Sequence, residues 1–315
     1  MIYFNKQLAI NILFILVISL ANSACIASQK QSADSPTRDG YENNVSPNKH
    51  NFRLVSKPHP VRYGQISERY EVRDGDCGGS DCDAPRYRAE LRLAKNKTRA
   101  RVGEDIWYGW SFFNDNIPSF SKDKNMNITL GQWKMGGNNF PMIKMMQAGL
   151  DSYTDSIWKS CLRKYCSNHI DSNENEDFFI QLGDLWGRSV TPKKEANWAM
   201  VCRLFSLEKN IGKWVDIVLN TNFSDKKSGY LNIWINGKKK CEYRGPIIVD
   251  KDLSMYPGPN HRRGIFVSYT KRWDKNFPNQ LKPTFVAYYD EFRIGQSRAD
   301  VDIRLIEASG GQPVD

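Results

Sequence analysis

Between Arg86 and Leu93 charged and apolar side chains alternate without a break: Arg-Tyr-Arg-Ala-Glu-Leu-Arg-Leu. A period of two has no place on a helix face. It demands a β-strand with Tyr87, Ala89, Leu91 and Leu93 turned to a core and Arg88, Glu90 and Arg92 turned away from it. A solvated strand face usually mixes small polar residues, whereas this one carries three charges in strict alternation. Such a row suits the grip of an anion, with Glu90 holding the two flanking guanidiniums by bidentate pairing. A surface salt-bridge ladder is the competing reading of the same residues.

The rest of the chain repeats the strand signal and is poor in helix-period stretches. Ile106–Phe113 is apolar on both faces and belongs at the centre of a sheet. Met126–Lys134 alternates, and Trp214–Asn220 is another strand. Tyr230–Ile235 runs into Asn236-Gly237, a strong two-residue hairpin signal, and Lys238–Tyr243 returns. Gly264–Lys271 and Thr284–Ile294 complete the set. The pattern predicts an all-β sandwich of jelly-roll type over residues 52–308. Residues 151–195 are polar and contain the acidic run Asp171–Asp177. They are expected to form a long insertion loop.

The ends read differently. Lys6, the apolar run Leu8–Ala21 and the small residues after it read as an export signal over residues 1–27, cut after Ser23 or Ala27. Ser23-Ala24-Cys25 outlines a lipoprotein site, though Asn22 stands where such a signal prefers an aliphatic residue. Nothing else could span a membrane. Residues 28–51 lack large apolar side chains and read as a disordered linker, and 309–315 as a flexible tail. Without Cys25 six cysteines remain. Cys77 with Cys82 and Cys161 with Cys166 are two close pairs, and Cys202 and Cys241 lie far apart. Three disulfides in an oxidising compartment, secreted or periplasmic, is the simplest account. No Cys-x-x-Cys occurs to suggest zinc. The net charge of +10 points to an anionic partner. Nucleic acid, an anionic lipid surface and acidic polysaccharide all qualify and charge alone does not choose among them, although no nucleic-acid-binding module is recognisable. The chain is expected to act as a monomer.

Several segments together resemble the heparin lyase I-like polysaccharide lyases, the group that includes glucuronan lyases. Arg86-Tyr87-Arg88-Ala89-Glu90-Leu91, preceded by Asp74-Gly75-Asp76-Cys77, looks like the family's Arg-x-Glu-Leu strand. Trp107–Ser111 is similar to its next strand, and Gly131-Gln132-Trp133-Lys134 sits where it has Gln-Trp-His. Trp214–Val218 with Gly229–Gly237 resembles its hairpin, Arg262–Phe266 its Lys-x-Gly-x-Tyr strand, and Tyr289–Gly295 its last. The likeness covers about residues 60–300, and the order of the segments implies a concanavalin-like jelly roll.

That resemblance implies β-elimination on a uronic-acid polysaccharide. The sugar carboxylate must be neutralised, a base must take the proton beside it, and an acid must protonate the leaving oxygen. Arg88, Arg92, Gln132 and Arg262 are the expected carboxylate ligands, with Glu90 orienting the arginines. The chain departs from the family at both proton-transfer positions: Lys134 replaces the histidine and Phe266 the tyrosine. A lysine serves as a base when burial or neighbouring cations lower its pKa. Phenylalanine transfers no proton, so the acid falls by default to Tyr269, which needs a bulge to reach the cleft, or to Tyr288 or Tyr289. His261 is the histidine expected nearest the substrate, and His169 lies in the insertion.

Two other functions fit the same scaffold. A non-catalytic module binding acidic glycans would explain Lys134 and Phe266. A glycoside hydrolase would need two carboxylates across the scissile bond, and Glu90 sits alone between arginines. No cofactor is called for. Asp74 and Asp76, with Asp81 and Asp83, outline part of a calcium loop but lack the glycine and terminal glutamate of a helix-loop-helix site. Asn96, Asn127 and Asn222 begin glycosylation sequons. Trp107, Trp110 and Trp234 are expected in the core, with Trp133, Trp186 and Trp273 left as sugar platforms.

Overall fold

The computed structural model describes residues 40–43, 48–94, 97–120, 125–135, 141–147, 176–182, 199–248 and 258–315. The insertion up to residue 175, with His169, and Trp186 beyond it lie outside them. Among the described residues fourteen strands are β1 Tyr41–Asn43, β2 Phe52–Val55, β3 Ser67–Val72, β4 Tyr87–Leu93, β5 Ile106–Asn114, β6 Asn127–Lys134, β7 Ile143–Gln147, β8 Phe178–Leu182, β9 Ala199–Phe205, β10 Trp214–Thr221, β11 Tyr230–Ile235, β12 Lys238–Arg244, β13 Asn260–Ser268 and β14 Phe285–Gly295. Short helices α1 Ser80–Asp83, α2 Lys271–Asn276 and α3 Ile303–Ala308 lie between or after them.

The strands form two seven-stranded antiparallel sheets, ordered β1-β4-β13-β6-β7-β8-β9 and β12-β11-β10-β5-β14-β3-β2. The fold is therefore a jelly-roll β-sandwich. Among the described residues no helix is long and apolar enough to cross a membrane. The core closes between the sheets on Ala89, Leu91, Ile128, Trp133, Ile143 and Ile265 from the first and Tyr70, Tyr108, Phe112, Leu219, Ile233 and Tyr289 from the second. As the alternation demands, β4 sends Tyr87, Ala89, Leu91 and Leu93 inward. Asn236 and Gly237 both take positive φ (49° and 81°), the primed turn that matches strand twist.

β6 does not alternate as its sequence suggests. Ile128 and Leu130 face the core, but so does Trp133, because the pairing with β7 slips by one residue between Thr129 and Gly131. That change of phase aims Gln132 and Lys134 outward. β8 lies inside the segment expected to be loop; its five residues are all buried. The domain also outruns its expected borders. β1 pairs with β4, and Asn48, His50 and Asn51 all bond to Asp76, so residues 41–43 and 48–51 belong to the fold and not to a disordered linker. At the other end Tyr63 donates to the Gly311 carbonyl, and Asp315 accepts from the amides of Gln65 and Ile66, so residues 309–315 are not a free tail.

Two of the three expected disulfides fall on described residues and both are bonded, Cys77–Cys82 and Cys202–Cys241. The third, expected between Cys161 and Cys166, falls on residues outside those described. The Cys202–Cys241 bond joins edge strand β9 of one sheet to edge strand β12 of the other across 39 residues of chain. A closed loop of that length is worth about 3–4 kcal/mol in a chain-entropy account. Cys202→Ser with Cys241→Ser should therefore lower the urea midpoint markedly, with a steeper slope because the unlinked unfolded chain exposes more surface. An unmoved midpoint would mean that the edges hold without the bond.

Candidate active site

The outward face of the first sheet is a cleft of about 650 Å³. Its lining is cationic: Arg86, Arg88, Lys134, Lys144, Arg262, Lys271 and Arg272, set against the carboxylate of Asp83. Such a wall selects an anionic ligand.

At its floor lies a hydrogen-bonded core. Glu90, 2 % exposed, accepts from Arg88 Nη1 (2.8 Å) and from Gln132 Nε2 (2.6 Å). Arg88 also donates from Nε and Nη2 to the Asp81 carboxylate (2.9 and 3.2 Å) and stacks on the Phe266 ring at 4.3 Å. Burial opposes its charge, but Glu90 and Asp81 outweigh that and raise its pKa. Glu90 thus does not hold both flanking arginines. It orients Arg88 and Gln132, while Arg92 turns to Glu42 on β1 (2.8 Å).

Arg262 pairs across β13 with Arg92 on β4 and Gln132 on β6. Its pKa is lowered, first by burial and then by Arg88 and Arg92, with Glu90 and, more weakly, Asp81 pulling the other way. Its Nε is buried without a hydrogen-bond partner. A desolvated guanidinium with an open donor, facing a cleft, has the form of half an ion pair.

Lys134 lines the same cleft from the end of β6. Tyr269 lines it as well, by a route other than the expected bulge. β13 ends at Ser268, and Tyr269 takes a left-handed φ of 59°, which turns a residue of core parity outward. It is 56 % exposed and lies under the Arg272 guanidinium at 4.0 Å. A left-handed non-glycine residue costs energy, and such residues cluster at functional sites. Lys144 of β7 was not singled out in the sequence; burial pushes its amine down to about 8. A single lysine in the apolar run Ile143–Met146 was the available signal.

Other expectations fail on geometry. Tyr288 and Tyr289 belong to β14 in the opposite sheet. Tyr289 is buried between the sheets and donates to the Leu130 and Gly264 carbonyls, while Tyr288 contacts His59 and Phe113. His261 is a core residue, hydrogen-bonded to Tyr41 (2.8 Å) and stacked on Phe292, and burial holds its pKa well below 6.5. Trp133 is fully buried, so it offers no sugar platform. Trp107 and Trp234 are half-buried and stacked on each other in the second sheet, outside the core. Trp273 packs partly on the core and on Phe277. Asp74, Asp76 and Asp81 of the calcium-like stretch are each engaged by protein donors: Tyr87 and Lys282, then Asn48, His50 and Asn51, then Arg88.

A jelly roll with a cationic cleft on one sheet is built to hold an anionic ligand. The sequence profile described as polysaccharide lyase matches residues 33–293, and the chain belongs to that family. It is therefore a polysaccharide lyase, which sets aside the hydrolase and the non-catalytic module. No curated protein matches the chain. Among solved structures it is similar to an endo-β-1,4-glucuronan lyase of the fungus Trichoderma reesei, at 18 % identity and a TM-score of 0.55 over 85 % of this chain and 96 % of that one. An alginate lyase of Pseudomonas aeruginosa is similar at 14 % identity and a TM-score of 0.43, over 83 % of this chain and all of that one.

Proposed function

We propose that this enzyme is exported and cleaves a uronic-acid polysaccharide by β-elimination, in the manner of heparin lyase I-like and glucuronan lyases. The observation that carries this reading is Arg262, a half-buried cation beside Gln132 whose Nε has no hydrogen-bond partner. The uronate carboxylate lies between them, with Arg88 near it, while Arg92 is held by Glu42 and is not among the residues lining the cleft. Drawing charge onto that carboxylate acidifies the proton on C5. Lys134, in its neutral form, takes the proton. Electrons pass into a C4–C5 double bond, the C4–O bond breaks, and the Tyr269 phenol protonates the departing oxygen. Glu90 stays out of the chemistry and fixes Arg88 and Gln132. Phe266 backs Arg88 where the family has a tyrosine. Two disulfides and the cationic cleft fit a secreted or periplasmic enzyme acting on such a polymer.

Isotope labelling tests the reaction class. In heavy-oxygen water elimination leaves the new chain ends unlabelled, whereas hydrolysis would place label in one of them.

Asp81 reaches the site from α1, inside the loop closed by Cys77–Cys82. Asp81→Asn would leave the buried Arg88 with one carboxylate in place of two. Losing a charge-assisted bond costs about 1.5–3 kcal/mol, so kcat/KM should fall roughly 10- to 100-fold. Unaltered kinetics would mean that Glu90 alone orients Arg88.

A further inference from the structure

Lys144 stands in a row that crosses the sheet. Its partner on β6 is Gln132, whose partner on β13 is Arg262, whose partner on β4 is Arg92; on its other side Lys144 faces Gln181 of β8. Neighbouring strands lie about 4.8 Å apart, so Lys144 and Arg262 rise from the floor roughly 10 Å apart with Gln132 at the position between them, its amide held by Glu90 of β4. Both line the cleft. Arg262 carries a fixed charge. Lys144, half-buried, carries one that burial has made easy to lose.

We propose that Lys144 is the titrating jaw of the carboxylate clamp: a uronate carboxylate lies over Gln132 between Arg262 and Lys144, and protonation of the amine decides whether the polymer is held. The inference rests on the uronate reading and adds to it a control of binding by pH. Among the described residues, the charged or titratable groups that share the cleft are Lys134 from β6, Arg262 from β13, Arg88 from β4 with Glu90 bonded to it, Asp83 and Arg86 from the segment before β4, and Tyr269, Lys271 and Arg272 beyond β13. β8 presents Gln181, which does not titrate, and β9 presents Arg203. The arginines keep their charge throughout the working range. Lys134 and Tyr269 act in the chemical step, so their contribution is read in kcat, whereas the charge of Lys144 is read in binding.

The sign follows from linkage. Below about pH 8 the amine is charged and the clamp complete; above it each bound carboxylate must first recharge the lysine. Affinity should be flat on the acid side and fall by up to about tenfold per pH unit on the alkaline side. The test measures dissociation constants of the full-length protein for glucuronan and for alginate from about pH 6 to about pH 10. Wild type should show the alkaline loss on at least one polymer. Lys144→Arg should keep the acid-side affinity within a few-fold and abolish the loss. Lys144→Gln should bind weakly at every pH, with its melting temperature as a check on folding; should it not fold, the arginine variant decides alone. A flat wild-type profile, the same loss in Lys144→Arg, or no binding of either polymer would overturn the proposal. Alkaline release persisting with no unsaturated product would retain the clamp and remove the elimination mechanism instead.

Discussion

Lys134→Ala is expected to abolish turnover while leaving the polymer bound. A positioned base contributes about 10²- to 10⁴-fold, and no other group stands at the family's base position on β6. The cleft keeps Arg88, Arg262 and Gln132 in this variant, so KM and retention on immobilised polyuronate should change little. Lys134 is half-buried at a strand end, and its loss should barely move the melting temperature. Tyr269→Phe should give the same separation, with kcat falling and binding kept, because only the phenolic proton is lost. Turnover at the wild-type rate in the alanine variant would remove Lys134 from the mechanism and direct attention to the neighbouring Lys144.

Arg263→Ala is expected to have the largest effect on stability. Arg263 is 1 % exposed between the sheets, its guanidinium paired with Glu68 of β3 through Nε (2.6 Å) and Nη2, and laid over the rings of Tyr41 (3.7 Å) and Phe292 (4.6 Å). Tyr70 donates to the same carboxylate at 2.8 Å. Removing the cation strands Glu68 in the core, which costs about 3–5 kcal/mol. Arg263→Met with Glu68→Gln removes both charges and should recover much of that loss. Urea unfolding of the single and double variants measures the difference. Equal destabilisation in both would show that packing on Tyr41 and Phe292, and not the stranded charge, sets the cost. Arg263 also anchors the strand that presents Arg262 and Phe266, so the single variant should lose activity before it unfolds.

Legibility in the sequence followed the physics of each segment. β4 could be read because its two faces meet different surroundings, and the Asn236-Gly237 turn because its backbone chemistry is local. Gln132 and Lys134 point outward only because β6 slips against β7, a tertiary event that leaves no mark in the pattern. Asp81 lies in a cysteine-bracketed loop and meets Arg88 only in the folded chain. His261 was readable: if Arg262 faces the cleft, the residue before it faces the core. Trp107 was misjudged because β5 is apolar on both faces, so its pattern does not say which tryptophan is inside. The turn at Tyr269 is a backbone conformation its residue type disfavours, and nothing in the sequence announces it.

The most direct test is ultraviolet absorbance while the mature protein is mixed in turn with glucuronan, alginate, heparin, heparan sulfate, hyaluronan and pectate. A rise with at least one polymer, lost in Lys134→Ala and in Tyr269→Phe, is the predicted result, because only elimination creates the unsaturated uronate. A flat trace with every polymer, from protein that still binds one of them, would contradict β-elimination at this cleft.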